Sequence, residues 1–227
     1  MSEMKKVIIA LAALLALLSC GGDAEPGLQT GDLVFVAIPT DSSLDDTMAG
    51  AIAEATGSGK GLDYIHVAIV EVQQDSVWII DATDNRGVSR HPVTDFIADF
   101  TLPDGTLPVF DVRRLKDNGA AGSYVEVAKK YIGRGYDLYF LPDNDEKYCS
   151  ELVYDTYRNA DGSPLFASAP MNFRGPDGEY PQYWTQLFST IGAEIPQGVE
   201  GTNPQDMQKS DLLCPVDVDI LRWNSTP

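Results

Sequence analysis

Residues 31–38, GDLVFVAI, place an almost unbroken run of Leu, Val, Phe, Ala and Ile after a turn glycine, and predict a buried strand. The next stretch, SSLDDTMAGAIAEATG, sets Leu44, Met48, Ile52 and Ala55 at helical spacing. A serine stands at its start, two aspartates in its first turn and a glycine at its end, so it predicts a helix with its boundary signals in place. YIHVAIVEV and SVWIIDAT are two β-rich runs separated by Gln73, Gln74 and Asp75, and predict a hairpin. GVSRHPVTDFIADF predicts a short strand followed by a capped helical turn, and LPVFDVRRL another strand.

Helical periodicity returns at residues 120–132, AAGSYVEVAKKYI, closed by Gly133, and at residues 148–160, YCSELVYDTYRNA, with Leu152, Val153, Tyr157 and Ala160 on one side. Residues 165–227 are rich in Pro, Gly and aromatics, carry no clear periodicity, and are expected to wrap the domain. The pattern predicts one α+β domain over residues 31–227. Its antiparallel sheet, from strands near 31–38, 64–72, 76–83 and 107–114, packs against the helices near 120–132 and 149–160.

The N-terminal end has a different character. Lys5 and Lys6 precede an apolar run from Val7 to Leu18 that is too short to span a bilayer comfortably, as in a secretory signal over residues 1–19. The run ends in Leu17, Leu18, Ser19 and Cys20, which resembles a bacterial lipobox. That likeness implies lipid attachment at Cys20, a tether over residues 20–30 and an exported lipoprotein held to the cell envelope, on the periplasmic side or at the outer membrane. The remaining body is acidic. The formal net charge of the whole chain is −18, and removing Lys5, Lys6 and Glu3 with the signal leaves about −19. Such a chain is repelled by nucleic acid and by anionic headgroups, which argues against nucleic acid as a partner and leaves the lipid anchor as the means of membrane contact.

Chemistry narrows to few residues. The chain has three cysteines and two histidines and no CxxC, HExxH or His-rich cluster, so a catalytic zinc site is hard to build and no metal is expected, and thiol chemistry at a cysteine needs no organic cofactor either. Cys214 in LLCPVDV has the character of a small buried hydrophobe, although counting alone leaves a disulfide with Cys149 open. Cys149 sits at a helix start, where the helix field and free N–H groups favour a thiolate, yet buried filler is also common there. His66 lies inside an apolar run, as a base or as a satisfied core histidine. His91 stands before Pro92 and is expected on the surface. With a two-residue loop at Gln73 and Gln74, paired numbers sum to 147 and His66 faces Asp81, with Cβ atoms roughly 5 Å apart. Asp81 then either orients an imidazole or caps the turn that follows.

The order GDLVF, HVAIV and then YCSELV resembles the NlpC-like cell-wall cysteine peptidases, with the cysteine motif moved behind the Gly-Asp strand as in the circularly permuted YiiX/YebB-like branch. The resemblance spans residues 31–158. It implies a circularly permuted papain-like (NlpC-type) fold, with Cys149 as nucleophile, His66 as base and Asp81 in the third polar position, where this branch often has glutamate. Tyr136 in GRGYDLYF matches a tyrosine that lines the site, assists an oxyanion hole or only packs.

The expected activity is that of a cysteine peptidase or amidase cleaving an amide through a thioester on Cys149. An exported member points first to peptidoglycan stem peptides of the γ-D-glutamyl type. The alternatives are an amidase, thioesterase or acyltransferase on lipid-like acyl groups, which an apolar groove beside Cys149 would favour, and a non-catalytic cell-wall-binding lipoprotein.

Overall fold

The computed structural model describes residues 27–225 except 41, 43, 45, 103 and 104. The expected signal, Cys20 and most of the tether lie outside these residues. In chain order the elements are β1 (Leu33–Pro39), α1 (Met48–Thr56), β2 (Leu62–Gln73), β3 (Ser76–Thr83), β4 (Gly87–Pro92), α2 (Val93–Asp99), β5 (Val109–Leu115) and α3 (Ala121–Ala128). Next come α4 (Cys149–Thr156), β6 (Ala169–Pro170), α5 (Gln182–Ile191), β7 (Glu200–Gly201), α6 (Pro204–Gln208) and β8 (Leu213–Pro215). Six strands form one antiparallel sheet in the order β4-β3-β2-β1-β5-β8.

β1 is apolar throughout because both its faces are covered. Leu33, Phe35 and Ala37 meet Val125, Leu152 and Tyr157 of the α3–α4 layer, while Val34, Val36 and Ile38 meet Phe96 and Ile97 of α2. A third cluster joins α1 to the C-terminal segment through Phe140, Tyr148, Met171, Phe173 and Trp184.

The Gly-Asp pair that opens β1 is structural. Gly31 has φ +85°, and a Cβ there would come within 2.5 Å of the Ala121 Cβ. Asp32 is fully buried and accepts a two-pronged hydrogen bond from Arg114 on β5, Nε to Oδ1 at 2.6 Å and Nη2 to Oδ2 at 2.8 Å. Removing either partner of such a pair costs about 3–5 kcal/mol, because the other charge is left buried alone. Arg114 also donates to the Gly27 carbonyl, Thr30 exchanges hydrogen bonds with Val72, and Leu28 is buried. The folded body therefore begins no later than Gly27, inside the expected tether.

Several boundaries differ from the sequence expectation. α1 starts at Met48, where Thr47 Oγ1 caps it by accepting from Gly50 N at 3.0 Å. The predicted serine and aspartates all precede this helix. α2 follows β4 directly at Pro92 with no side-chain cap. α3 ends at Ala128 and tightens into a 3-10 turn over Lys129–Tyr131. α4 stops at Thr156, since Tyr157 turns to donate its hydroxyl to the Gly31 carbonyl at 3.1 Å.

The C-terminal stretch is more ordered than its composition suggests. It supplies α5, α6 and an edge strand, β8, where Cys214 pairs with Arg114 and is half-buried. Cys149 is a free thiol, so the Cys149–Cys214 disulfide left open by counting is not made.

Candidate active site

Three neighbouring strands each contribute one polar side chain. β2 carries His66, β3 Asp81 and β4 His91, and all three are buried. The β2–β3 turn falls on Gln74 and Asp75, so Gln73 pairs with Ser76 and paired numbers sum to 149. Asp81 is thus diagonal to His66 rather than opposite. A shift of two preserves the face, and His66 Nε2 lies 2.8 Å from Asp81 Oδ2.

A β-bulge helps to aim the histidine. Val36 pairs with His66 and Ala37 with Tyr64, which leaves Ile65 as the extra residue. Tyr64 and Val67 both face the α3–α4 layer, whereas Ile65 joins the other cluster. His66 follows Ile65, and its ring lies 4.7 Å from that of Phe100 and 6.1 Å from that of Phe96.

His91 corrects the expectation of a surface position. It pairs with Ile79 within β4, is buried, and its Nε2 lies 2.9 Å from Asp81 Oδ1. The proline after it suggested a turn, but Pro92 ends a strand and begins α2 with no interval. A usable signal was present. Extending the hairpin pairing to the next strand sets His91 on the same face as Asp81, one diagonal step away.

Cys149 is the first residue of α4 and is buried within the opposite layer. It meets His66 through a side-chain hydrogen bond, and both open onto one recess with Ala82, Phe100 and Tyr136. With His66 Nε2–H donating to Asp81, Nδ1 is the ring nitrogen left for the thiol.

Burial disfavours charge on His66. The negative charge of Cys149 and the hydrogen bond to Asp81 outweigh it and raise the His66 pKa to about 10. Asp81 is likewise opposed by burial, yet hydrogen bonds from His66 and His91 lower it to about 2. Burial first, and then the charge of Cys149, keep the Tyr136 hydroxyl protonated well above the usual tyrosine range.

The loop before Cys149 is held by a residue that sequence reasoning passed over. Asp137 is fully buried and accepts hydrogen bonds from the backbone N–H groups of Tyr139, Phe140 and Leu141 and from Asn144 Nδ2, at 2.9–3.1 Å. This clamp places Tyr136 and Phe140 beside the thiol. Lys147, also buried, reaches Glu151 at 3.0 Å and Asp155 at 3.1 Å and ties the loop to α4. Burial raises Glu151 to about 7 despite that partner.

On the other side of Cys149 a narrow cleft with a cavity volume of about 50 Å³ runs between α1 and the C-terminal segment. Ile52, Phe140, Tyr148, Met171, Phe173 and Trp184 give it an apolar wall, and among the described residues no Asp, Glu, Lys, Arg or His lines it. The C-terminal extension closes it. Thr202 donates its N–H to the Tyr148 hydroxyl at 3.1 Å and its own hydroxyl to Ser150 Oγ at 3.0 Å.

A buried cysteine at a helix start, a histidine on a facing strand and a carboxylate behind that histidine make a papain-like cysteine hydrolase site. A family model described as "Permuted papain-like amidase enzyme, YaeF/YiiX, C92 family" matches residues 27–216, and the chain belongs to that family. It is 27% identical over 191 residues to the protein YiiX of Escherichia coli (strain K12), covering 83% of this chain and 85% of that one. A crystal structure described as metalloprotein yiiX from Escherichia coli O157:H7 aligns with a TM-score of 0.63 at 26% identity, over 84% of this chain and 97% of the other.

The word metalloprotein belongs to that relative. Among the described residues here, no group of three or more His, Cys, Asp or Glu side chains is placed to hold a metal ion. Both oxygens of Asp81 are already engaged by ring nitrogens. The described residues do not fit a metal centre.

Proposed function

We propose that the chain hydrolyses an amide whose acyl group is apolar and seats in the cleft beside Cys149, through a thioester intermediate. The mainly apolar lining of the cleft carries this reading: none of the described residues that form it is charged. In a chain of net charge −18, an uncharged and mainly apolar wall, with Thr56, Ser150, Asn172, Thr202 and Asn203 as its polar members, suits a short hydrocarbon group. A peptidoglycan stem peptide carries carboxylates and amines that would enter this cleft without a charged partner among the described residues, at a desolvation cost. The acyl-group reading is therefore preferred to the stem-peptide one.

The chemistry follows from the pairing. His66 Nδ1 takes the thiol proton as the Cys149 sulfur attacks the carbonyl carbon. The oxygen that gains charge faces the backbone N–H groups at the start of α4 and the protonated hydroxyl of Tyr136. His66 gives its proton to the leaving nitrogen as the C–N bond breaks. It then takes a proton from the water that cleaves the thioester. Asp81 holds the ring throughout.

Kinetics on N-acyl p-nitroanilides of increasing chain length, beside purified muropeptides, test the reading. kcat/KM should rise with chain length. Ala55→Phe, which projects a ring into the cleft from α1, should lower kcat/KM for the longest chains about 10- to 100-fold and spare acetyl substrates. Turnover of muropeptides in preference to every acyl anilide would overturn the acyl assignment and restore the stem-peptide one.

The same proposal places the protein at the cell envelope, held by lipid on Cys20. Among the described residues no helix is long and apolar enough to cross a membrane, and the body is acidic. Anchoring then depends on a diacyl-modified terminus. Cys20→Ser should abolish fatty-acid labelling and move the protein to the soluble fraction, and unchanged membrane retention would refute the anchor.

A further inference from the structure

We propose that His91 is a positioning residue for the hydrolysis: by donating Nε2–H to Asp81 Oδ1 it holds the carboxylate in the orientation that presents Oδ2 to His66. The geometry is symmetric about one side chain. The two carboxylate oxygens accept from two imidazoles, at 2.8 Å from His66 and 2.9 Å from His91. The Asp81 side chain has no exposure, so solvent does not reach it to do what His91 does. A carboxylate held at one oxygen can still swing about its Cβ–Cγ bond, whereas donors at both oxygens fix its plane.

His91 has little else to do. Among the described residues its Nδ1 is buried with no hydrogen-bond partner, so the bond to Asp81 is the one hydrogen bond the ring makes there. A leucine or phenylalanine would fill this place beside Phe96, whose ring lies 6.3 Å away, without leaving a buried nitrogen unpaired. An imidazole that is kept at such a disadvantage is explained by the bond it makes. The assignment rests on His66 acting as the base, and it adds to that base a support from a third strand.

Two readouts on the full chain test it: the rate of Cys149 alkylation by iodoacetamide at neutral pH, which needs no substrate, and kcat and KM on an acyl anilide. His91→Ala should slow alkylation and lower kcat about tenfold or more with KM little changed, as expected for lost orientation of a base. His91→Phe keeps the packing and removes the donor, and should be as slow. His91→Gln can return an N–H to Asp81 and should recover most of the rate. In an Asp81→Ala background, the added loss from His91→Ala should fall below about twofold, because the two act through one carboxylate.

Thermal melts identify any variant that fails to fold, and the phenylalanine and glutamine variants then decide. Full activity in His91→Phe, or losses from His91 and Asp81 that multiply independently, would overturn the proposal. Full activity in His66→Ala would instead overturn the hydrolase reading on which it rests.

Discussion

Replacing Cys149 with alanine is expected to reduce hydrolysis to the uncatalysed background, a loss of about 10⁵-fold or more, since no other group can form the thioester. Cys149 is the one free cysteine among the described residues, and it opens onto both recesses of the site. The fold should survive. Cys149 is small, and its backbone role at the start of α4 passes unchanged to alanine, so the lost packing should cost about 1 kcal/mol or less, beside the loss of the charge that favours protonated His66. The substitution has a second, independent signature. The charge of Cys149 is the largest influence raising the His66 pKa, so the His66 ring in the alanine variant should titrate well below about 10 when followed by NMR. An unmoved His66 titration would mean that thiol and ring do not meet, and retained turnover would mean that another group attacks.

The parts of this site that periodicity could reach were legible in the chain. Strand parity placed His66 and Asp81 on one face although the expected register, with numbers summing to 147, was displaced by two. A one-residue error would have separated them, since side chains alternate along a strand. The proline after His91 is a local turn signal that points to the surface, whereas the pairing of β3 with β4 is what buries His91 beside Asp81. Asp137 is hidden in the sequence for a different reason. Its hydrogen bonds run to N–H groups within four residues, and a loop clamp of that kind has no sequence period. The apolar cleft was beyond sequence reasoning altogether. Its wall joins Ile52 of α1 to Met171, Phe173 and Trp184, which are brought together only by long-range packing.

His66→Ala carries the second large effect. Without the ring, the thiol has no base and the leaving nitrogen no acid, so turnover should fall about 10⁴-fold, somewhat less than for loss of the nucleophile. Asp81 Oδ2 is then buried without its donor, at a cost of about 1–3 kcal/mol in stability. This cost should depend on pH. His66 has its pKa raised from 6.5 to about 10 in the folded chain, so its contribution is fully present below 6.5 and is lost as pH rises through about 10. Asp81 is lowered from 3.8 to about 2, so its contribution is present above 3.8 and is lost as pH falls through about 2. The melting-temperature gap between wild type and His66→Ala should therefore be widest from about pH 4 to 6.5 and close towards pH 10. The amide kcat of the wild type should decline over the same alkaline range, as the ring loses the proton that the departing nitrogen needs. A gap that stays constant up to pH 10, with full turnover in the variant, would show that His66 only fills its place among Phe96 and Phe100.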